Sequence, residues 1–345
     1  MNLKECLIRK TPYIIAEMSA NHANDLETAL KIVEAAHDSG ADCLKTQIYT
    51  PDSLTIDCNS DDFKITSGLW NGYSLYELYS DAAMPLEWQS LICNKCKEIG
   101  IDYLGTAFDK TGVDILCDLE SEAIKIASFE IVDLPLISYA ASMGKTMIIS
   151  CGMSSKDEIW DAVNTCLEAG NNDIILLKCS SAYPADESQL NLLTIKDMAM
   201  EFKLPVGYSD HSIGNIAGVT AIALGACVLE KHVCLDRTIP SADASFSMEP
   251  DEFRSYVRDI RTASKMMGNV AYGSSESEQD SLVFRRSIYA IKDIEKGDRF
   301  TKDNIGIIRP GYGIKPKYYN RLLGNVSARR VLRGEPIKEM DLGDG

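Results

Sequence analysis

The sequence predicts an α/β protein whose larger part is a (β/α)8 TIM barrel. Eight short runs rich in apolar and β-branched residues occur in order, and most are followed by the 3.6-residue apolar spacing of a helix. Eight strand–helix units within about 270 residues are typical of that barrel. A doubly wound open sheet is the alternative fold, but no G-x-G-x-x-G motif follows the first predicted strand.

The predicted strands cover, in order, residues 13–18, 43–48, 102–107, 123–128, 146–150, 174–179, 205–210 and 228–233. The segments between them show helical apolar spacing, as in Leu26, Leu30, Val33 and Ala36. Several of these patterns end at a glycine, such as Gly40, because glycine commonly follows the last turn of a helix.

The composition excludes several classes of protein. The chain has 345 residues, of which 45% are hydrophobic and 25% are charged, as in globular proteins rather than disordered or fibrous ones. A net charge of −16 argues against a nucleic-acid partner. No apolar run approaches the ~18 residues of a membrane span, and residues 1–10 lack the apolar core of a signal peptide. We therefore expect a soluble, cytoplasmic protein with no membrane partner.

The eleven cysteines predict reduced thiols rather than a disulfide framework. Most of them stand singly in or beside apolar segments, where cysteine acts as a small hydrophobic residue. Cys93 and Cys96 form a C-x-x-C motif within a helical pattern, but a second cysteine pair is missing from the sequence. A structural zinc site is therefore not favoured.

Two domains are predicted, a catalytic barrel over residues 1–270 and a small domain over 286–345, joined by a polar linker over 271–285. The small domain carries 13 Lys and Arg against 8 Asp and Glu, whereas the rest of the chain carries 22 against 43. These opposite net charges predict that the two surfaces meet, within one chain or across a dimer.

A long insertion interrupts the alternation of predicted strands and helices. It covers residues 52–83 and carries Trp70, Tyr73, Tyr76 and Tyr79. Because it follows the second strand, it would lie on the catalytic face of a barrel and could cover the site as a lid. The alternative is a loop without function.

Polar side chains cluster where the predicted strands end, which is where barrel enzymes carry their reactive groups. Pairs two residues apart, such as Lys45 with Gln47, share one face of a strand. The candidates are Glu17, Lys45, Gln47, Thr106, Lys125, Ser128, Glu130, Ser150, Ser181, Tyr183, Ser209, His211, Glu230 and His232, with Asp243 in the loop after strand eight.

Lys45 and Lys125 both interrupt otherwise apolar runs, where an unpaired ammonium group is costly. Two lysines converging at a barrel mouth indicate an anionic substrate that carries phosphate or carboxylate. One of them could instead form a Schiff base, as in lysine-dependent aldolases. A third interpretation is that Glu17 or Glu130 neutralises them for structural reasons only.

His211 directly follows the seventh predicted strand, and His232 lies near the end of the eighth. Because these strands are adjacent in a barrel, the two imidazoles could share one divalent ion. Two histidine ligands leave coordination positions open, which suits a catalytic Mn²⁺, Co²⁺ or Mg²⁺ ion rather than a closed structural site. Asp243 could orient a ligand or act as a base.

Many of these residues lie in short motifs along the chain. The motifs are AEMSANH at 16–22, LKTQ at 44–47, KIAS at 125–128, SCGM at 150–153, GYSDH at 207–211, LEKH at 229–232, KDIEKG at 292–297 and IRPGYG at 308–313. In this order, over nearly the whole chain, they resemble the sialic acid synthase family. The C-terminal motifs resemble that family's antifreeze-like (SAF) domain, and within the family the sequence most resembles the pseudaminic acid synthases.

The resemblance implies a condensation of phosphoenolpyruvate with an N-acetylated amino sugar to give a nine-carbon α-keto acid. A divalent metal, most simply Mn²⁺, would bind His211 and His232 and polarise the sugar aldehyde. Glu17, Lys125 and Asp243 would be the catalytic residues. The substrates would contact Lys45, Gln47, Thr106, Ser128, Glu130, Ser150, Ser181, Tyr183, Ser209 and Arg309. In the family one subunit's SAF domain caps the other subunit's barrel, so a domain-swapped homodimer is implied, with Arg309 reaching the sugar's acyl group.

Other functions stay open from the sequence. The sugar could be that of a neuraminate or legionaminate synthase, with the same reaction. A lysine Schiff-base aldolase would share the barrel and Lys125 but would need no metal. A purely binding role, suggested by the likeness of the C-terminal domain to an ice-binding module, leaves the polar strand ends unexplained.

Overall fold

The computed structural model describes residues 2–343. It divides into two compact units, the first ending at Gly268 and the second beginning at Asn269. All eleven cysteines lie in the described range and are free thiols. No helix within residues 2–343 is both long enough and apolar enough to cross a membrane.

Within the described range, the first unit is a barrel of eight parallel strands in the order β1 to β8. The strands are β1 Tyr13–Glu17, β2 Cys43–Ile48, β3 Asp102–Ala107, β4 Ala123–Ile126, β5 Thr146–Ser150, β6 Ile174–Cys179, β7 Val206–Asp210 and β8 Val228–His232. The helices are α1 Leu3–Arg9, α2 Leu26–Asp38, α3 Pro51–Leu54, α4 Leu75–Ala82, α5 Trp88–Ile99, α6 Lys110–Asp118, α7 Leu134–Ser142, α8 Lys156–Glu168, α9 Thr194–Phe202, α10 Ile216–Ala223 and α11 Pro250–Met267.

The predicted (β/α)8 barrel is confirmed. Four strands have the predicted bounds, but β4 ends at Ile126 instead of Ser128, because its ladder with β5 ends at the pair Ile126–Ile149. Residues 127 and 128 belong to the loop that follows. Helix α1 is not among the predicted elements; Asn2 caps it by accepting a hydrogen bond from the Glu5 backbone N–H.

Two apolar layers hold the barrel together. Inward-facing residues of the strands, such as Ile15, Leu104 and Leu177, pack inside the barrel, and Leu3 and Cys6 of α1 join this cluster. A larger layer packs the outer faces of the strands against the surrounding helices. This arrangement is the usual one for the fold, and it leaves the carboxyl ends of the strands available for a site.

The register of the strands brings the polar strand ends together. Glu17 at the end of β1 is the neighbour of Lys45 on β2 and of His232 on β8. Ser209 on β7 is the neighbour of Glu230 on β8. Groups that are up to about 215 positions apart in sequence therefore meet at one end of the barrel.

The second unit has its own small core. Its antiparallel strands are β9 Ser287–Ala290 and β10 Ile305–Ile308, and its short helix is α12 Tyr319–Leu322. Ile288, Phe300 and Val331 are fully buried in the core. The segment 271–285, predicted to be a linker, contains two short 3-10 helices, and the Val283 carbonyl accepts a hydrogen bond from the Gly311 backbone.

Candidate active site

A cavity of about 390 Å³ opens at the carboxyl end of the barrel strands. Most of the predicted site residues of the barrel line it: Glu17, Lys45, Gln47, Thr106, Lys125, Ser128, Glu130, Ser150, Tyr183, Ser209, His211, Glu230, His232 and Asp243. They come from every strand or the loop that follows it, as expected for an active site of this fold.

Lys45 lies in the wall of the cavity with two carboxylates as partners. Its Nζ is 2.6 Å from Glu17 Oε2 and 3.6 Å from Glu230 Oε2, and it donates a 2.8 Å hydrogen bond to Thr106 Oγ1. All three charged groups are buried. Burial and the neighbouring Glu230 raise the pKa of Glu17, whereas Lys45 and Lys125 hold the pKa of Glu230 below its usual value against the effect of burial. Glu17 can therefore exchange a proton near neutral pH.

Lys125 is a buried cation with neutral partners. Its Nζ donates hydrogen bonds to Ser150 Oγ, at 2.6 Å, and to the Ile126 carbonyl, at 3.0 Å. It forms no ion pair with any residue that the structure describes, and burial lowers its pKa. An ammonium group buried without a counter-ion favours an anionic ligand, so the cavity offers a phosphate or carboxylate site beside Ser150.

His211 and His232 lie on the same side of the cavity, with ring centroids 5.2 Å apart. The Nδ1 atom of His211 is 2.9 Å from the Ser180 carbonyl oxygen, which leaves Nε2 for another partner. The Nδ1 atom of His232 is buried and has no hydrogen-bond partner within residues 2–343. Two imidazoles with nitrogens unused by the protein are a donor set that fits a divalent transition metal with open positions.

Two further carboxylates face the cavity. Asp243 accepts hydrogen bonds from the Ser19 hydroxyl and, at 3.4 Å, from the Ala20 backbone N–H, and burial raises its pKa. Burial also raises the pKa of Glu130 to about 7. A carboxyl group with a pKa of about 7, such as that of Glu130, can donate a proton to a substrate or remove one from it near neutral pH.

Two predicted site residues lie elsewhere. Ser181 is not among the described residues that line the cavity; its hydroxyl lies beside Gly152, where an added Cβ would come within 2.2 Å of Ser181 Oγ and 2.8 Å of Ser128 Oγ. A glycine at 152 thus lets the backbone N–H approach and donate to Ser128 Oγ at 3.0 Å. Arg309 belongs to the second unit, directly after β10.

Several lining residues were not predicted from the sequence. Cys179 was expected to be a small core residue, but it is buried in the cavity wall with its Sγ 3.7 Å from His211 Nδ1. The alternation of inward residues along β6 could have indicated this position. The insertion, which was predicted to lie on the catalytic face with Trp70 and Tyr79, also lines the cavity. Its lining residues are Leu54, Ile65, Trp70, Leu75, Leu78, Tyr79 and Ala82.

The arrangement combines a buried cation for an anionic group, carboxyl groups that can move protons and two imidazoles that can hold a metal. This combination suits a reaction in which an anionic substrate and a carbonyl compound are brought together and a proton is moved.

Family models match both units of the chain. One described as the NeuB family matches residues 32–272, and one described as the SAF domain matches residues 285–343.

Individual relatives match over nearly the full length. The chain is 42% identical to a pseudaminic acid synthase of Campylobacter jejuni, over 96% of this chain and 97% of that one. It is 34% identical to an N,N'-diacetyllegionaminic acid synthase of Legionella pneumophila, over 95% of each chain. A crystal structure of an N-acetylneuraminic acid synthetase from Leptospira borgpetersenii superposes with a TM-score of 0.70 at 30% identity, covering 79% of this chain and 90% of the other.

Proposed function

The chain belongs to the NeuB (sialic acid synthase) family, and on this premise we propose that it makes pseudaminic acid from phosphoenolpyruvate, 2,4-diacetamido-2,4,6-trideoxy-β-L-altropyranose and water. The observation that carries the choice of sugar is the 42% identity, over 96% of the chain, to a pseudaminic acid synthase, against 34% to a legionaminic acid synthase. The predicted family is thereby confirmed, and the protein is an enzyme of the transferase class. Its substrates are phosphoenolpyruvate and an amino sugar.

The proposed reaction balances as a condensation with water. C3 of phosphoenolpyruvate forms a bond with the aldehyde carbon of the open-chain sugar, and the aldehyde oxygen gains a proton to become a hydroxyl. Water then adds to C2, and phosphate leaves by cleavage of its C–O bond. Lys125 and Ser150, joined at 2.6 Å, would bind the phosphate or carboxylate.

Carboxyl groups of the cavity would move the protons. One oxygen of Glu17, Oε1, is buried without a hydrogen-bond donor in the described part of the chain, so it can accept the proton of the attacking water. Asp243, held by Ser19 and Ala20, would orient a sugar hydroxyl.

A divalent metal, most simply Mn²⁺, is also proposed. His211 and His232 would hold it, since each offers a ring nitrogen that the protein does not use. When bound, the ion supplies a Lewis acid that polarises the aldehyde oxygen of the sugar.

The test is phosphate release from phosphoenolpyruvate, measured with and without Mn²⁺ and with two sugars in parallel. We expect metal-dependent release with the 2,4-diacetamido-2,4,6-trideoxy-altrose and none with N-acetylmannosamine. Phosphate release with N-acetylmannosamine alone would indicate a neuraminate synthase instead. Equal release in the presence of EDTA would contradict the proposed metal requirement. Failure with both sugars, together with borohydride trapping of substrate on Lys125, would favour a Schiff-base aldolase.

A domain-swapped homodimer is proposed as well, in which Arg309 of one subunit reaches the acyl group of the sugar bound in the other. The family resemblance and the opposite net charges of residues 286–345 and the rest of the chain support this assembly. A cytoplasmic location stays a prediction.

Arg309→Ala is expected to raise KM for the sugar by about tenfold or more, because a charge-assisted hydrogen bond contributes about 1.5 to 3 kcal/mol. KM for phosphoenolpyruvate should stay unchanged. Steady-state kinetics check this, with Arg333→Ala, another basic residue of the same unit, as the control. An unchanged sugar KM in the Arg309 variant would contradict the role of Arg309.

A further inference from the structure

The cavity has walls of two kinds. The strand ends supply charged and polar groups, such as Lys125, Glu17 and His232, whereas the insertion over residues 52–83 supplies apolar ones. We call this apolar wall the roof and define it as Leu54, Ile65, Trp70, Leu75 and Leu78. The roof thus faces the charged and polar groups of the strand ends across the cavity.

The aliphatic residues of the roof do not belong to the hydrophobic core. Leu54, Ile65, Leu75 and Leu78 are absent from the apolar clusters formed by the described residues, although Leu78 is buried. Leu75 and Leu78 are three residues apart on α4 and so lie on one face of that helix. Their apolar surface is therefore available to a ligand, and burying it against apolar groups would be favourable.

Hydrogen bonds fix the roof in place over the site. The Trp70 indole N–H donates to the Ala242 carbonyl at 3.2 Å, next to Asp243, and the Trp70 ring lies 5.9 Å from that of Tyr183. Near the C-terminal end of the insertion, the Asn24 side chain donates to the Asp81 carbonyl at 3.0 Å. A wall anchored at two points can discriminate between substrates, since it does not simply move aside.

We propose that the roof binds the methyl group at C6 of the sugar and so selects a 6-deoxy sugar over its 6-hydroxy counterpart. The inference rests on the proposed function. In that reaction C1 of the sugar must reach phosphoenolpyruvate among the polar strand ends, so the opposite end of its carbon chain extends towards the insertion. An apolar wall accepts a methyl group there and leaves a hydroxyl without a hydrogen-bond partner.

The experiment compares kcat/KM for 2,4-diacetamido-2,4,6-trideoxy-altrose with that for 2,4-diacetamido-2,4-dideoxy-altrose, which differs by one oxygen at C6. The wild type should prefer the deoxy sugar by about 10- to 100-fold. In Leu75→Asn and Leu78→Asn the preference should fall by about tenfold, chiefly through loss of activity on the deoxy sugar. Leu69→Asn is the matched control, because Leu69 is an exposed leucine of the same insertion that does not line the cavity in the described structure.

The outcomes separate this inference from the function on which it rests. An unchanged preference in both folded variants, or an equal loss for both sugars, would overturn the inference and leave the function standing. A wild type that consumes phosphoenolpyruvate with neither sugar would contradict the proposed function, and the inference would fail with it. If circular dichroism shows that Leu78→Asn is unfolded, Leu75→Asn decides, since Leu75 is only half-buried.

Discussion

Lys125→Met is expected to lower kcat/KM for phosphoenolpyruvate by about 10²- to 10³-fold, since loss of one partner of a buried charge pair costs about 3 to 4 kcal/mol. The Lys125 ammonium is buried, donates to Ser150 Oγ at 2.6 Å and forms no ion pair within residues 2–343. The substrate anion would therefore be its counter-ion. Steady-state kinetics at varied phosphoenolpyruvate concentration measure the effect.

The same substitution should leave the ligand-free protein as stable as the wild type, or more stable. Removing a buried cation that lacks an ion-pair partner relieves its desolvation, and Lys45 remains beside Glu230 to keep that carboxylate ionised. Lys178→Met is the matched control. Lys178 lies on β6 and donates to the Cys179 carbonyl at 2.8 Å, but it is not among the described residues that line the cavity. Its kcat/KM should be unchanged. A folded Lys125 variant with full activity would contradict the anion site, and an unfolded variant would contradict the expected stability.

Lys231→Met is expected to lower the free energy of unfolding by about 3 to 5 kcal/mol, because it leaves a buried carboxylate without its partner. Lys231 Nζ is 3.0 Å from Asp210 Oδ2, and both side chains are at most 1% exposed. Lys231 also donates to the Ser212 carbonyl and lies 5.6 Å from the centre of the Tyr256 ring on α11.

Urea unfolding followed by tryptophan fluorescence measures this effect in the barrel, because Trp70, Trp88 and Trp160 all lie in the first unit. The double variant Asp210→Asn with Lys231→Met should be more stable than Lys231→Met alone, since no buried charge is then left unpaired. Lys31→Met, which removes an exposed ion pair with Glu27, is the control and should leave the unfolding midpoint unchanged. Equal midpoints for Lys231→Met and the wild type would contradict the importance of the buried pair.

Much of the barrel could be predicted from the sequence because its signals are local. Apolar runs bounded by turns gave β2, β3, β5 and β6 with their observed bounds. The end of β4 was wrong by two residues. A strand ends where its neighbour stops supplying hydrogen-bond partners, here after the pair Ile126–Ile149 with β5, and the extent of that pairing cannot be read from the sequence of β4 alone.

The two lysines of the site, Lys45 and Lys125, show what the sequence pattern could not predict. From the sequence, Lys45 and Lys125 were equal candidates for an anion site, with Glu17 or Glu130 as alternative counter-ions. In the structure, Lys45 has Glu17 at 2.6 Å and Glu230 at 3.6 Å as partners, whereas Lys125 meets only neutral oxygens among the described residues. The difference arises from strand register, which places Glu17 beside Lys45.

The sequence by itself determined the family, the barrel, the second domain's family and nearly all polar residues of the cavity. The order of the motifs identifies the family, and the residue types at the strand ends identify the polar residues of the cavity; both can be read directly from the sequence. Tertiary structure alone decided which buried charges neutralise each other and which apolar residues of the insertion face the site. These depend on distances between segments that are far apart in sequence, such as the contact of Trp70 with Ala242. Periodicity describes one segment at a time, so it carries no information about such contacts.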